Sequence, residues 1–463
     1  MTHINCGCDE KRRDFLKKVG KSGLALGFMG LSMQSDIFVQ RAFGEVPRKN
    51  ALYDCALQIF FSGGPSQTDT WDPKPGENVN QFNTINLGVN DKYGNPIQIS
   101  EVFPNLANLV MNDANVGLGL LRSMSHGSNS HGNGQQYMNC FWKGTTFADM
   151  YPSTAAVMAY YFQGSGLGIP AVVINGSNGR QVNDAKQSRC PTALQVNAGS
   201  GQGSNRVVQA LGLPPGVDAQ RYARRQNLLT KLNARFLSQR PDQLAKDFDK
   251  ATRDAIDIAA KGDAARAFDL TGTPLVPGAN NGVRQRLTQA AKLLTAGIPY
   301  VACGIGGNDS HSNNMRTIRR NWGQEVDQGV VEVINRIKNS GKRCLILMGG
   351  EFGRTPEGKV PRGVDGRDHW GDGFSWAMVS VNQPLFKTGA WGDTGPRGTF
   401  RVRDNNLVDP VEPKDLGALL YRSMGFQVGL EVAYDVPLNA RDAPPVDRMN
   451  NGTALMKYFG LTA

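Results

Sequence analysis

Asp309 and His311 stand close together in G-G-N-D-S-H-S-N-N, and Asp368 and His369 are adjacent in G-R-D-H-W. His126 and His131 fall in a third polar stretch, R-S-M-S-H-G-S-N-S-H-G-N-G, with Ser128 and Ser130 between them. Histidines in Gly/Ser/Asn loops have no apolar surroundings to pack into, so a ligand or substrate-contact role is favoured. Carboxylates occur in matching settings: Glu351 in G-G-E-F-G-R-T-P, and Asp69 and Asp72 in S-Q-T-D-T-W-D-P-K-P. Imidazole mixed with carboxylate is a donor set for a divalent metal, zinc or manganese first, with iron and calcium as further candidates. Two such ions side by side would clamp a transferring phosphoryl-type group. The plainer reading of the same residues is local: Glu351 paired with Arg354, Asp368 with Arg367, and Asp69 closing an Asx turn.

The elements ahead of these residues determine whether they meet. Residues 344–348 and 55–62 are continuous apolar runs of strand length, as expected of strands buried on both faces. Gly349-Gly350 ends the first and Gly63-Gly64-Pro65 the second, so Glu351 and Asp69 follow carboxyl ends of strands. Residues 116–121, 170–174, 298–304 and 375–381 read as further strands, and 298–304 runs directly into Asp309 and His311. Helical periodicity covers 102–111, 151–162, 283–296, 322–338 and 415–424, the last closed by Gly425. This alternation predicts an α/β fold, a doubly wound, mostly parallel central sheet flanked by helices, with long ordered loops. Ligands of such sheets collect at the carboxyl edge of the strands. Residues 176–205 lack any period and are expected to form a long loop. Residues 219–267 carry apolar positions at helical spacing with a break at Pro241, as expected of a helical insertion at about 215–270.

The totals narrow the class. The 463 residues are 40% hydrophobic and 20% charged, a globular composition. The formal charge is +11, yet no basic block interleaved with aromatics is present, which argues against a nucleic-acid partner and fits anionic substrates. K-R-R-D-F-L-K at 11–17 precedes a Gly-rich apolar stretch from 19 to 33, the layout of an export signal over residues 1–44. Arg12-Arg13 with Phe15-Leu16-Lys17 resembles the twin-arginine motif, making the twin-arginine translocase a partner during export. The expected destination is the bacterial envelope, periplasmic or extracellular. The apolar stretch is too short for an anchor, and residues 45–463 are expected to form one domain without a transmembrane span. The seven cysteines show no CxxC or zinc-finger spacing, and Cys303 and Cys344 read as buried. G-x-S-x-G and G-x-G-x-x-G are both absent, which argues against an ordinary serine hydrolase and a dinucleotide enzyme.

The quoted motifs, together with A-F-D-L at 267–270, resemble the bacterial domain-of-unknown-function family 1501 over nearly the whole mature chain. That family is placed in the alkaline phosphatase/sulfatase superfamily. The resemblance implies an alkaline-phosphatase-like fold and a metal-dependent hydrolase of phosphate or sulfate esters, acting on an anionic ester or an envelope polymer. Asp309, His311 and His369 match the ligands of one metal. Glu351 stands where an Asp binds the second, and Phe352 where His or Asn is usual. Asp69, later after its strand than the superfamily's first Asp, is carried as a ligand too. Thr70 and Ser130 are the nucleophile candidates, His126 and His131 acid/base or phosphate contacts, and Arg354 an anion-binding group. Asp72, Asp368 and Arg367 are expected to support the ligands. No C-x-P-S-R or C-x-A-x-R is present, which argues against a formylglycine sulfatase. A non-catalytic envelope scaffold or binding protein with this fold is the competing reading.

Overall fold

The run Cys55–Phe61 is apolar except for Gln58 and is buried along its whole length, at the middle of the sheet. The computed structural model describes residues 48, 50–77, 79–143, 152–162, 167–175, 193–196, 217–239, 262–357, 365–426 and 450–461. The export segment 1–44, Pro241 and most of 176–205 lie outside the described residues. Two compact units are present, one drawn from Glu45–Ser200 with Leu270–Ala463, the other including Gly201–Asp269. Every candidate site residue belongs to the first unit.

Its strands are β1 (Cys55–Phe61), β2 (Thr84–Asn90), β3 (Pro96–Ser100), β4 (Val116–Met124), β5 (Ala171–Ile174), β6 (Leu194–Val196), β7 (Tyr300–Ile305), β8 (Cys344–Gly349), β9 (Gly353–Arg354), β10 (His369–Trp370), β11 (Phe374–Val381) and β12 (Gly389–Trp391). Eight of them form one sheet in the order β12-β4-β11-β8-β1-β7-β5-β6. Only β11 runs against its neighbours β4 and β8; all other pairs in the sheet are parallel. The mostly parallel α/β sheet read from the sequence is therefore present.

Helices cover both faces. Ala56 and Phe60 of β1 join a core with Leu345 and Leu347 of β8 and Ala302 of β7. Against it lie α2 (His131–Cys140), α3 (Thr154–Tyr161), α9 (Pro413–Ser423) and α10 (Asn450–Tyr458). On the other face α6 (Asn281–Thr295) contacts β1 and β7 and packs on α8 (Val331–Asn339), while α1 (Pro104–Asn112) reaches α8. A short α7 (Asn314–Thr317) follows β7. The second unit contributes α4 (Ala219–Gln239), a long helix within the expected insertion, and α5 (Asp263–Phe268).

Several expectations change. Residues 322–338 were expected to be one α-helix, but Ile318–Val330 is π-wound and only Val331–Asn339 is α-helical. The buried apolar residues Ile318, Trp322, Val326 and Val330 recur every fourth position, a spacing between the α and π repeats, so periodicity over so short a run cannot separate the two. Within the expected loop 176–205, Leu194–Val196 forms the edge strand β6, too short to register as a run. The polar stretch holding His126 and His131 is a loop only to Ser130; His131 begins α2. The β2–β3 hairpin has no clean alternation to announce it.

Candidate metal centre at the carboxyl edge of the sheet

The parallel strands β8, β1 and β7 end side by side, with β4 beyond the antiparallel β11, and their following loops are fastened to one another. Ser62 donates its amide to Ile305 and accepts from that of Asn308, binding the loops after β1 and β7 together. Gly63 has φ +117°, and a Cβ there would lie 2.3 Å from the Asp309 nitrogen, so only glycine lets that loop close. Its own amide donates to Glu351 Oε1 at 2.9 Å, joining the β8 loop. The β9–β10 ribbon sets His369 opposite Arg354. The loop after β4 is held by the amides of His126 and Gly127 on the Gly371 carbonyl.

Three imidazoles surround one carboxylate. Asp309 Oδ1 lies 3.2 Å from His369 Nε2 and 3.2 Å from His311 Nε2, and Oδ2 lies 3.4 Å from His131 Nε2. Potential ligand atoms of His131, Asp309 and His369 all fall within 4.8 Å of one another. His311 Nε2 adjoins this group, 3.0 Å from His369 Nε2. Each ring's other nitrogen has an acceptor-only partner and must donate to it. His131 Nδ1 donates to Glu351 Oε1 at 2.7 Å, His311 Nδ1 to Asp368 Oδ1 at 3.0 Å, and His369 Nδ1 to the Asn129 carbonyl at 2.8 Å. That pattern fixes the tautomers and turns bare Nε2 lone pairs toward Asp309. Two imidazole lone pairs 3.0 Å apart beside a carboxylate repel unless a cation or proton lies among them, so the donor set fits a divalent metal.

Neighbouring charges and burial set each group separately. Burial alone would raise the Asp309 carboxyl, but the hydrogen bond and charge of Arg354, with His369 and His131, hold its pKa at about 2. The Glu351 hydrogen bond raises His131, and burial lowers His369. Arg354 is fully buried, and its guanidinium donates to the carbonyls of Gly64 and Arg367 as well as to Asp309 Oδ1 at 2.5 Å. Arg354 therefore pairs with Asp309, not with Glu351 as the local reading supposed. Glu351 is fully buried too, and its Oε2 has no hydrogen-bond partner.

The remaining candidates are placed as follows. Asp69 is buried in a different knot, accepting from Ser66 Oγ at 2.6 Å, Asn314 Nδ2 at 2.8 Å and the Gln81 amide at 2.8 Å, with Arg367 Nε 2.8 Å away. Arg367 also donates to the carbonyls of Thr355 and Val79. Asp72 is ion-paired with Lys74 at 2.9 Å and Arg122 at 3.3 Å. Thr70 is fully buried, its Oγ1 donating to the Ser66 carbonyl at 2.7 Å, whereas Ser130 is exposed as the N-cap of α2 and makes no side-chain cap bond. His126 is buried, donating from Nε2 to the Glu351 carbonyl at 2.5 Å and accepting the Ser128 amide at Nδ1. Burial pushes it down to about 4. Phe352 is buried, its ring centroid 4.4 Å from that of His369 and 5.0 Å from that of His131.

Some contributors carry no sequence signal, among them the Asn129 carbonyl and the Gly63 amide. Gln135 did carry one. It follows His131 by one helical turn and donates to Glu351 Oε1 at 3.2 Å.

No curated protein matches the chain. Among solved structures, the Streptococcus pyogenes phosphoglycerol transferase GacH, in complex with sn-glycerol-1-phosphate, aligns at 9% identity over 94% of this chain and 91% of that one, with a TM-score of 0.37. The C-terminal periplasmic domain of EcEptC from Escherichia coli, in complex with Zn, aligns at 9% identity over 74% of this chain and 77% of that one, with a TM-score of 0.31. A second structure of that domain aligns at 9% identity over 86% and 88%, with a TM-score of 0.34. Residues 54–430 match the family described as "protein of unknown function (DUF1501)", and the chain belongs to that family.

Proposed function

We propose that this chain is an exported, metal-dependent hydrolase of phosphate or sulfate esters in the bacterial envelope. The observation that carries the reading is the convergence of three imidazole Nε2 atoms on Asp309, each ring already held through Nδ1. His131, His311, His369 and Asp309 would hold the ion, with zinc or manganese suited to the donors. When bound, such an ion supplies Lewis-acid polarisation of an ester oxygen. Glu351, Asp368 and the Asn129 carbonyl orient the rings, and Arg354 keeps Asp309 anionic. Asp69 and Arg367 act one step further out, fixing the loops through Asn314 and the Thr355 carbonyl.

Ser130 is the nucleophile in this reading, because its hydroxyl is exposed and it lies between Asn129 and His131, both engaged with the cluster. The N-terminus of α2 opens beside it, which favours an anionic group. In a purified, metal-supplemented protein assayed on chromogenic phosphate and sulfate esters, Ser130→Ala is expected to lose at least about a hundredfold in kcat with unchanged metal content. Thr70→Ala is expected to change kcat by less than about threefold. Equal losses in the two variants would remove Ser130 from the role.

The competing reading is a binding protein that keeps the fold. Phe352 favours it: its ring packs on His131 and His369 where further donors of a second ion would be needed. Metal bound without turnover of any ester in the panel would select that reading.

A further inference from the structure

Arg316, Arg319, Arg320 and Gln324 line an open groove of about 590 Å³ together with Met315. Arg316, Arg320 and Gln324 recur at every fourth residue through α7 and the π-helix, so they stack along one face. All three arginines are exposed, and none makes an ion pair among the described residues. Arg319 rests its guanidinium 5.6 Å from the centre of the Phe82 ring. The charge of Arg320 acts on Glu325, a buried carboxylate that accepts the amides of Ala279 and Asn280. Exposed guanidiniums grouped along one groove bind oxyanions through charge-assisted, often bidentate hydrogen bonds.

The groove also follows closely in the chain on the candidate metal centre. His311 is a ligand candidate, and Arg316 follows it by five residues, so their Cα atoms are at most about 18 Å apart. Asn314 anchors the intervening segment, donating to Asp69 Oδ2 at 2.8 Å and accepting from Ser310 Oγ at 2.7 Å. The geometry points to a second anionic subsite: the substrate carries further phosphate groups beyond the ester at the metal centre, and this groove holds them. The class is a polyphosphorylated chain, such as an anionic envelope polymer, and not a lone phosphomonoester. The identity of the substrate rests on the hydrolase reading; binding at the groove does not.

The test is isothermal titration of linear polyphosphate and of orthophosphate into the zinc-supplemented protein. The triple variant Arg316→Gln, Arg319→Gln, Arg320→Gln is expected to lose about tenfold or more in polyphosphate affinity, with orthophosphate affinity, melting temperature and zinc content unchanged. A charge-matched control, Arg221→Gln, Arg224→Gln, Arg225→Gln on α4, is expected to bind as the parent does. Should the triple variant lose melting temperature, Arg320→Gln alone is expected to lose about threefold. His369→Ala keeps the groove, so in that background the arginine substitutions are still expected to weaken polyphosphate binding even if the metal reading fails. Unchanged affinity in the triple variant, or an equal loss in the α4 control, would overturn the subsite. So would binding to anionic phosphatidylglycerol vesicles with none to polyphosphate, which would make the groove a membrane contact.

Discussion

In the proposed metal centre His131 faces Asp309 and Glu351 stands behind His131. Glu351 Oε1 accepts from His131 Nδ1, the Gly63 amide and Gln135, and His131 brings Nε2 to Asp309. A carboxylate behind a ligating imidazole raises its basicity and fixes its orientation. Glu351→Gln keeps an acceptor there and removes the charge, so zinc affinity measured by competition with a chromogenic chelator is expected to fall about 10–100-fold. His126 is the contrasting case, a buried histidine held neutral. Its folded pKa of about 4 lies below the ordinary value of 6.5, so below pH 6.5 the unfolded chain binds a proton that the folded chain refuses. Stability from this group is therefore complete above pH 6.5 and lost as pH falls toward 4, by about 3 kcal/mol in all. Urea titrations from pH 7 to pH 4 should show that slope reduced in His126→Asn; an identical slope in both proteins would contradict it.

At the scale of elements, the site depends on loop closures that leave little latitude. Gly63→Ala forces a side chain into a backbone of φ +117° and against the Asp309 nitrogen. The strain alone is about 1–3 kcal/mol. Lower melting temperature together with lost metal binding is expected, and a variant retaining both would show that the β1 and β7 loops are less tightly joined. The strands that carry these loops were legible because buried parallel strands are unbroken apolar runs, as in Cys344–Gly349. Their carboxyl ends, and hence the neighbourhood of Asp309, His311, Glu351 and His369, followed from the glycines after them. Placement by loop did not reveal which atoms meet. Asp69 lies past the same edge, yet Arg367 and Asn314 hold it in a separate knot, because a carboxylate's partners are set by side chains distant in sequence. The π-winding of Ile318–Val330 was likewise invisible, since apolar residues at every fourth position suit an α-helix as readily as a π-helix.

For the whole molecule, a sheet with seven strands in one direction brings the ends of β4, β1, β7 and β8 to one edge. The four histidines outside the first 44 residues all lie in loops or at an element start beyond those ends, three of them around Asp309. No helix among the described residues is long and apolar enough to cross a membrane. The formal charge of +11 and the exposed arginines of the 315–324 groove, without ion pairs among the described residues, suit an anionic substrate. The central claim is that this edge holds a metal through His131, His311, His369 and Asp309. It is tested most directly by elemental analysis of the purified protein beside its His369→Ala variant after identical dialysis against zinc and manganese. About one equivalent of metal per chain in the parent and well under half in the variant is predicted. Equal metal content in the two proteins, or none in either, would contradict it.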